Sequence, residues 1–438
     1  MSSKAEDVNR KGLDGGTPLQ KAPDPALGDG VIAKERYTDA AFMQAEWDNI
    51  WTQVWLVGCL ERDLDEPGAY CATEIGSESV LLVRQDDGSV RAFYNVCQHR
   101  GNRLRDRGLG HASTFKCADH HWEYKLDGSF ENIPDLDTFP QGSPCKGLEE
   151  IPCEVWNGWV WYSLNPDVEP LADYLNVIPE HLEPYNLSKM AMTRDITVEW
   201  DCNWKASVDA FNESYHVQGI HPQLLWHLDD LNLQIDCYDK HNRYLIRFAT
   251  LSPRVKVPPA IPEGIKLVMK QAGMDPADYD GRVNEIREDV QRYKREHGAE
   301  QGRDYSKLHD EQLTDDYHYM IFPNVTLNVH ADDYWLFRQR PHPTDPNKMF
   351  FDIWTFELVA DGEEWPERPE HRQFRHGEKS IGLVLDQDAA NLPGVQAGMN
   401  SRGFRGLWLG NQELRIRHFH KTIDDYIYGP GNKPEGAL

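Results

Sequence analysis

The sequence predicts an α+β protein of two successive domains, a small all-β domain followed by a larger one in which helices pack on an antiparallel sheet. Three observations carry this. Short β-rich runs crowd between residues 56 and 165, punctuated by turn residues. Longer alternating runs recur after residue 190, interspersed with stretches of helical periodicity. The 438 residues, 39% of them hydrophobic, suffice for two sizeable cores.

Residues 1–35 carry Gly, Pro, Asp and Lys without apolar periodicity, which predicts a flexible N-terminal arm, or one that orders against a partner. Over 36–55, "YTDAAFMQAEWDNIWTQVW" sets Phe42, Trp47, Ile50, Trp51 and Trp55 on one face, with Thr38 or Asp39 able to cap. That predicts one amphipathic helix, packed on the larger domain. The small domain spans 56–165. In it "SVLLVRQDDGSVRAFYNV" reads as two strands about a DDG turn, and "GWVWYSLNP" as a later strand closed by Asn-Pro.

The larger domain spans 166–428, leaving 429–438 as a tail. It opens with the helical "LADYLNVIPEHLEPY", the alternating "MAMTRDITVEW" and a helix-like segment from Trp204 to about Tyr215. The runs "YLIRFATL", "VTLNVHADDYWLFRQRPH" and "MFFDIWTFELV" supply further antiparallel strands. Between about 255 and 316 lies a charged excursion, expected to be an exposed helix with flanking loops and, as an insertion, a cap over a site.

Forty-six basic against 72 acidic side chains give a formal charge of -26, which repels nucleic acid and anionic membrane surfaces. No apolar run approaches the roughly 18 to 20 residues that span a bilayer. The opening "MSSKAEDVNRKGLDGG" lacks the apolar stretch of a signal peptide, so a cytoplasmic protein is expected. Eight cysteines are too sparse for a disulfide framework, which makes metal binding the better reading for those beside histidines.

Two such pairs exist. Cys97 and His99 form C-x-H, and after seventeen residues Cys117 and His120 form C-x-x-H. Zinc fingers normally place at least two residues between paired ligands, so that both turn toward one tetrahedral ion, and C-x-H violates this. Two loops that each offer one thiolate and one imidazole suit a [2Fe-2S] cluster better. With the "HHWEY" that follows the second pair, the arrangement resembles the Rieske motif. The resemblance implies that Cys97 and Cys117 hold one iron and His99 and His120 the other. Imidazole in place of thiolate raises the reduction potential above that of an all-Cys cluster.

The arginines at 100, 103, 105 and 107 fit either a solvated loop or a dock for an acidic electron carrier or subunit. Cys59, Cys71, Cys145, Cys153, Cys202 and Cys237 lack histidines at ligand spacing and read as buried free thiols.

A Rieske ferredoxin would need only about the first 165 residues, so the remainder must use the electron. In "NWKASVDAFNESYHVQGIHPQL", His216 and His221 stand five apart, and Pro222 favours a helix that ends there. Two imidazoles at a helix end are half of a mononuclear iron site; the rest is a carboxylate and open positions for dioxygen. In "KSIGLVLDQDAANLPGVQAGM", Ile381, Val384, Leu385, Leu392 and Val395 form an apolar stripe with Asp388 in its middle. A carboxylate there is costly unless paired or metal-bound. Asp386 lies off the stripe, where a solvent-exposed role fits. His216, His221 and Asp388 would complete the two-His, one-carboxylate triad of non-haem Fe(II) oxygenases.

From about residue 35 to 428 the chain resembles the large (alpha) subunit of Rieske non-haem iron ring-hydroxylating oxygenases. The matching signals are "NWK", the "E-x-Y-H" that ends at His216, "FPN" at 322–324 and "QD" at 387–388. The resemblance implies a Rieske domain followed by a catalytic domain of helix-grip, START-like fold. It implies one [2Fe-2S] cluster and one mononuclear Fe(II) per chain, and a homotrimer, with or without a small beta subunit. In such a trimer electrons cross to the iron of a neighbouring subunit. The acidic residue three positions before the first iron histidine, here Glu213, would bridge to His120 of the partner subunit. The family residue is more often Asp; Glu resembles members that demethylate or cleave quaternary amines. Asp209, one turn earlier, is the second choice for the bridge, its plain role being a surface charge that stabilises its helix.

The function so implied is a terminal oxygenase that draws electrons from NAD(P)H through a separate reductase or ferredoxin and hydroxylates an aromatic or alicyclic substrate with dioxygen. No G-x-G-x-x-G lies between a strand and a helix, in keeping with an external reductase. Oxidative N- or O-demethylation or C–N cleavage of a methylated amine is the alternative, supported by Glu213. Phe211, Trp226, Tyr317, Phe322, Trp335 and Phe337 could line the pocket, although each also suits the core. An electron-transfer protein would leave two-thirds of the chain idle, and a zinc-stabilised binding module would be colourless.

Overall fold

A computed structural model describes residues 19–144, 146–279 and 282–429. Contacts divide the chain into two compact units, one of Ala45–Tyr174 and one of Leu175 onward joined by the segment that ends at Gln44. No helix among the described residues is long and apolar enough to cross a membrane.

The Ala45–Tyr174 unit is nearly all β. Five strands pair antiparallel in the order Glu150–Ile151, Val90–Tyr94, Glu78–Arg84, Ala69–Ile75, Gly108–His111. The DDG turn forms as expected: Arg84 faces Val90, and Gly88 takes φ +83, which a side chain would resist. A second sheet joins Cys153–Trp156, Trp159–Ser163 and Trp55–Leu60. A third, of Phe115–Lys116, Glu123–Tyr124 and Phe130–Asn132, carries the second Cys and His pair at its first turn. Leu81, Val83, Phe93, Leu104, Phe115, Trp122 and Tyr124 form one core that also encloses Cys97 and Cys117.

The helix expected over 36–55 is shorter and broken. Helices Glu35–Thr38 and Ala40–Glu46 are parted at Asp39, whose carboxylate accepts the Ala41 N–H at 2.8 Å, and a wider π turn covers Trp47–Trp51. From Ala45 these turns group with the β-rich unit. Trp55 starts a strand because Trp55, Leu56 and Val57 pair with Ser163, Tyr162 and Trp161, a ladder that helix would forfeit.

The larger unit is built on an eight-stranded sheet. Its order is Gln234–Cys237, Asn242–Ile246, Asp316–Ile321, Val325–Val329, Asp333–Pro341, Met349–Leu358, Met190–Trp200, Arg372–Arg375, antiparallel except for the last pair. Register sets Tyr244, His318, Asn328, Trp335 and Thr355 in one row across five strands. Helices Trp204–Phe211, Leu383–Met399 and Leu414–Tyr428 cover this face. Phe211 packs on Phe337 and Phe351, at 5.1 and 5.5 Å between ring centres, and the Arg415 guanidinium lies 4.3 Å from the Tyr244 ring.

The excursion at 255–316 is not one exposed helix. Glu263–Gln271 and Ile286–His297 pack together around Ile261, Ile265, Met269, Val283, Ile286 and Val290, because each helix repeats its apolar residues every three or four positions. Of the arm expected over 1–35, residues 1–18 lie outside the described residues; beyond them the chain is packed rather than free. The Ala22 N–H donates to Asp236 at 2.8 Å, Arg243 donates to the Gln20 carbonyl, and Ile32–Ala33 pairs with Gly406–Leu407. Two buried charges that need partners thus hold the arm down. Cys145 and, past Gly429, the tail also lie outside the described residues.

Candidate functional site

In the β-rich unit the two Cys and His loops face each other. Each begins with a tight turn: Gly101 N–H returns to the Cys97 carbonyl at 3.0 Å and His121 N–H to that of Cys117 at 3.1 Å. The His99 and His120 rings lie 4.5 Å apart between centres, and His99 stacks on Trp122 at 4.9 Å. Both cysteines are 2% exposed whereas His120 is 42% exposed, so thiols face the core and imidazoles the surface.

Several donors aim at the sulfurs. Tyr124 Oη lies 3.3 Å from Cys97 Sγ, and the Asn102 amide donates to Cys117 Sγ at 3.8 Å. Burial would raise the Cys117 thiol, yet the Asp119 N–H, the Cys97 thiol, the His120 N–H and Asn102 together hold it below its ordinary value. Cys97 stays above, because its burial outweighs Tyr124 and the His99 N–H. This donor set fits a cluster with two thiolates and two imidazoles. Among the arginines, Arg100 pairs with Asp119 at 3.0 Å, Arg103 bonds Glu74, and Arg105 lies over Tyr70 and Phe115 while donating to the Leu104 and Thr114 carbonyls.

In the larger unit, Asn203 caps the helix Trp204–Phe211 by accepting the Lys205 N–H at 3.0 Å. The chain leaves that helix at Asn212 and turns through Glu213, and a short helix, Val217–Ile220, then links His216 to His221. His221 adopts φ -121, ψ 53, outside the helical region that the following Pro222 disfavours. Asp388 arrives from the helix Leu383–Met399.

These three side chains converge: one ligand atom from each of His216, His221 and Asp388 lies within 4.8 Å of the others. His216 Nδ1 is 2.6 Å from Glu213 Oε1, and its own N–H donates to Glu213 Oε2 at 3.0 Å. His221 Nδ1 is 2.9 Å from Gln387 Oε1. An ionised carboxylate and an amide oxygen only accept, so Glu213 and Gln387 can each take the Nδ1 proton of the ring they face, which would leave both Nε2 atoms free to bind a metal. The two Nε2 atoms lie 3.8 and 2.8 Å from Asp388 Oδ1. Three donor atoms so close, with Asp388 and His221 only 4% and 2% exposed, could hold a metal ion. Burial lowers the basicity of His216, but its bond to Glu213 and the charges of Glu213 and Asp388 outweigh this and raise it above the ordinary histidine value. Two nitrogens and one oxygen are the donors of a ferrous site.

Asp209 is not a surface charge. It is buried, accepts a hydrogen bond from the Tyr37 hydroxyl and lies 3.4 Å from His420 Nε2. Asp386 is half-buried rather than free in solvent: it accepts the Ile381 N–H at 2.8 Å and the Ser380 hydroxyl, tying down the chain before its helix. Phe211 and Trp335 are half-buried beside the covered sheet face, Phe337 completes their cluster, Tyr317 packs on Tyr185, Phe322 on Phe419 and Tyr426, and Trp226 is 39% exposed. Sequence reasoning missed Tyr124, Asn102, Gln223 and Gln387. The only signal for the last was its place beside Asp388.

The family model described as ring hydroxylating alpha subunit (catalytic domain) matches residues 187–429, and that described as Rieske [2Fe-2S] domain matches residues 54–151. The chain is a ring-hydroxylating alpha subunit. This alpha subunit therefore unites a Rieske [2Fe-2S] domain with a catalytic domain of the kind that binds mononuclear iron. It is 29% identical over 200 residues to the glycine betaine monooxygenase oxygenase subunit of Chromohalobacter salexigens, 45% of this chain and 44% of that one. It is 31% identical over 197 residues to the large oxygenase component of the Pseudomonas putida naphthalene 1,2-dioxygenase system, 43% of each chain. The alpha subunit thus spans less than half the length of these curated relatives in the matched regions. Its fold matches that of the quaternary ammonium Rieske monooxygenase CntA solved with L-carnitine, with a TM-score of 0.64, 18% identity, and 91% of this chain and 97% of that one covered.

Proposed function

We propose that the chain is the terminal oxygenase of a multicomponent Rieske system, with Cys97, His99, Cys117 and His120 holding the cluster and His216, His221 and Asp388 holding Fe(II). The observation that carries this is the convergence of His216 Nε2, His221 Nε2 and Asp388 Oδ1, with Glu213 and Gln387 oxygens behind the two rings. When bound, the cluster supplies one-electron transfer and the ferrous ion supplies dioxygen activation, so that one or both oxygen atoms enter the substrate. The chain's own part is to orient and to exclude water. Glu213 and Gln387 hold the imidazole protons away from the iron, and the helices keep Asp388 and His221 dry on the covered sheet face. Electrons come from NAD(P)H through a reductase or ferredoxin. In a homotrimer, Glu213 would also reach His120 of the partner subunit, which fits its place beside His216. The seven described cysteines are unpaired, in keeping with a cytoplasmic setting.

Two substrate classes stand. Aromatic or alicyclic hydroxylation agrees with the half-buried Phe211 and Trp335 and with the similarity to dioxygenase components. Cleavage of a methylated ammonium is favoured by Glu213, by the formal charge of -26 and by the likeness to a glycine betaine monooxygenase subunit. Metal analysis of wild type and His216→Ala tests the site: the variant should lose about one iron of three while the cluster spectrum stays intact. An unchanged iron count rejects it. Turnover under labelled dioxygen with aromatics and methylated amines then separates the classes.

A further inference from the structure

We infer that Gln387 is a positioning residue for the iron site, which fixes the tautomer and the ring angle of His221; this rests on the iron site proposed above. Gln387 and Asp388 are successive residues of one helix, about 100° apart around its axis. That single step lets them grip one ring from both sides, Gln387 Oε1 at 2.9 Å from Nδ1 and Asp388 Oδ1 at 2.8 Å from Nε2. The amide is itself held. Gln223, two residues after His221, donates its side-chain N–H to the same Oε1 at 2.7 Å. An amide oxygen has two lone pairs, and here both are used. Turning the Gln387 amide over would set its NH2 against the Gln223 NH2 and force the His221 proton onto Nε2, where it would occupy the lone pair that binds metal. With Gln223 donating, Gln387 presents its oxygen to Nδ1, the orientation that leaves Nε2 free for metal.

The two imidazoles are consequently unequal. His216 is backed by a carboxylate and His221 by a neutral amide, so His216 is the more electron-rich donor. A partner behind a ligating imidazole is typically worth 10- to 100-fold in metal affinity.

The test uses the full chain with its cluster loaded, and measures Fe(II) affinity by chelator competition and the visible spectrum of the Co(II)-substituted site. Gln387→Leu should weaken Fe(II) binding by about 10- to 100-fold and alter the Co(II) bands, and Gln387→Glu, which restores an acceptor, should recover both. Wild-type affinity and bands in Gln387→Leu overturn the inference, while the iron site stands if His216→Ala still empties it. Iron that His216→Ala fails to remove overturns both. Where Gln387→Leu loses its cluster spectrum and so its fold, Gln223→Leu decides: weaker Fe(II) binding supports the inference, and unchanged binding refutes it.

Discussion

Glu213 and His216 are joined twice, by the side-chain bond at Nδ1 and by the backbone N–H of the histidine, so one carboxylate fixes both the ring and the chain that carries it. A neutral amide can accept one of these bonds but adds no negative charge behind the imidazole. Glu213→Gln should leave the cluster reducible and lower product formation by about 10- to 100-fold. Stopped-flow bleaching of the cluster, read beside product yield, checks this; normal turnover would exclude Glu213 from the relay.

Tyr124 meets Cys97 Sγ at 3.3 Å and accepts the Gln98 N–H at 2.9 Å. A donor to a thiolate favours the more negative, reduced cluster. Tyr124→Phe should therefore lower the midpoint potential while the absorption spectrum stays that of a Rieske centre. Redox titration followed by EPR would show it.

Tyr37 and Asp209 come from segments 172 residues apart and meet in the interior with His420. Removing the hydroxyl leaves a buried carboxylate without its closest donor, which costs about 1–3 kcal/mol. Tyr37→Phe should shift the urea midpoint down accordingly, with iron content unchanged.

His330 faces Asp333 at 2.9 Å and Asp316 at 3.6 Å, with Lys294 nearby. Burial opposes its charge, but the charge and hydrogen bond of Asp333, then the charge of Asp316, push its pKa up to about 9. With an unfolded value near 6.5, the stabilisation is complete below about pH 6.5 and is lost as pH rises through the folded value. Urea midpoints of wild type and His330→Gln should thus differ most at about pH 6 and converge at about pH 10. Parallel curves over that range would refute the assignment.

Much of this was legible because the informative residues carry local patterns. C-x-H is unusual enough to name its chemistry, and the alternation of "MAMTRDITVEW" gave the strand Met190–Trp200 at its true ends. Asp388 was reached through Leu385 and Leu392, which are buried as read, although Val395 is 44% exposed and Ile381 precedes the helix. Asp209 was misread because its partners arrive from the helix Leu414–Tyr428 and from the N-terminal segment, at separations no periodicity encodes. Gln387 stands in the "QD" signal, but its contact with His221 is hidden for the same reason: an amide on a half-buried helical position acquires that role only once His221, 166 residues earlier, is folded against it. The excursion reads as exposed because its charges outnumber the apolar residues that pair its two helices.

The side chains proposed to hold iron, His216, His221 and Asp388, lie on stretches of chain that meet only in the native state. An unfolded polypeptide offers no such convergence, so metal uptake and folding are thermodynamically linked. Iron at 100 times its dissociation constant would deepen the native well by about 2.7 kcal/mol. Starvation for the metal would then be felt first as a shorter protein lifetime, and only afterwards as lost turnover.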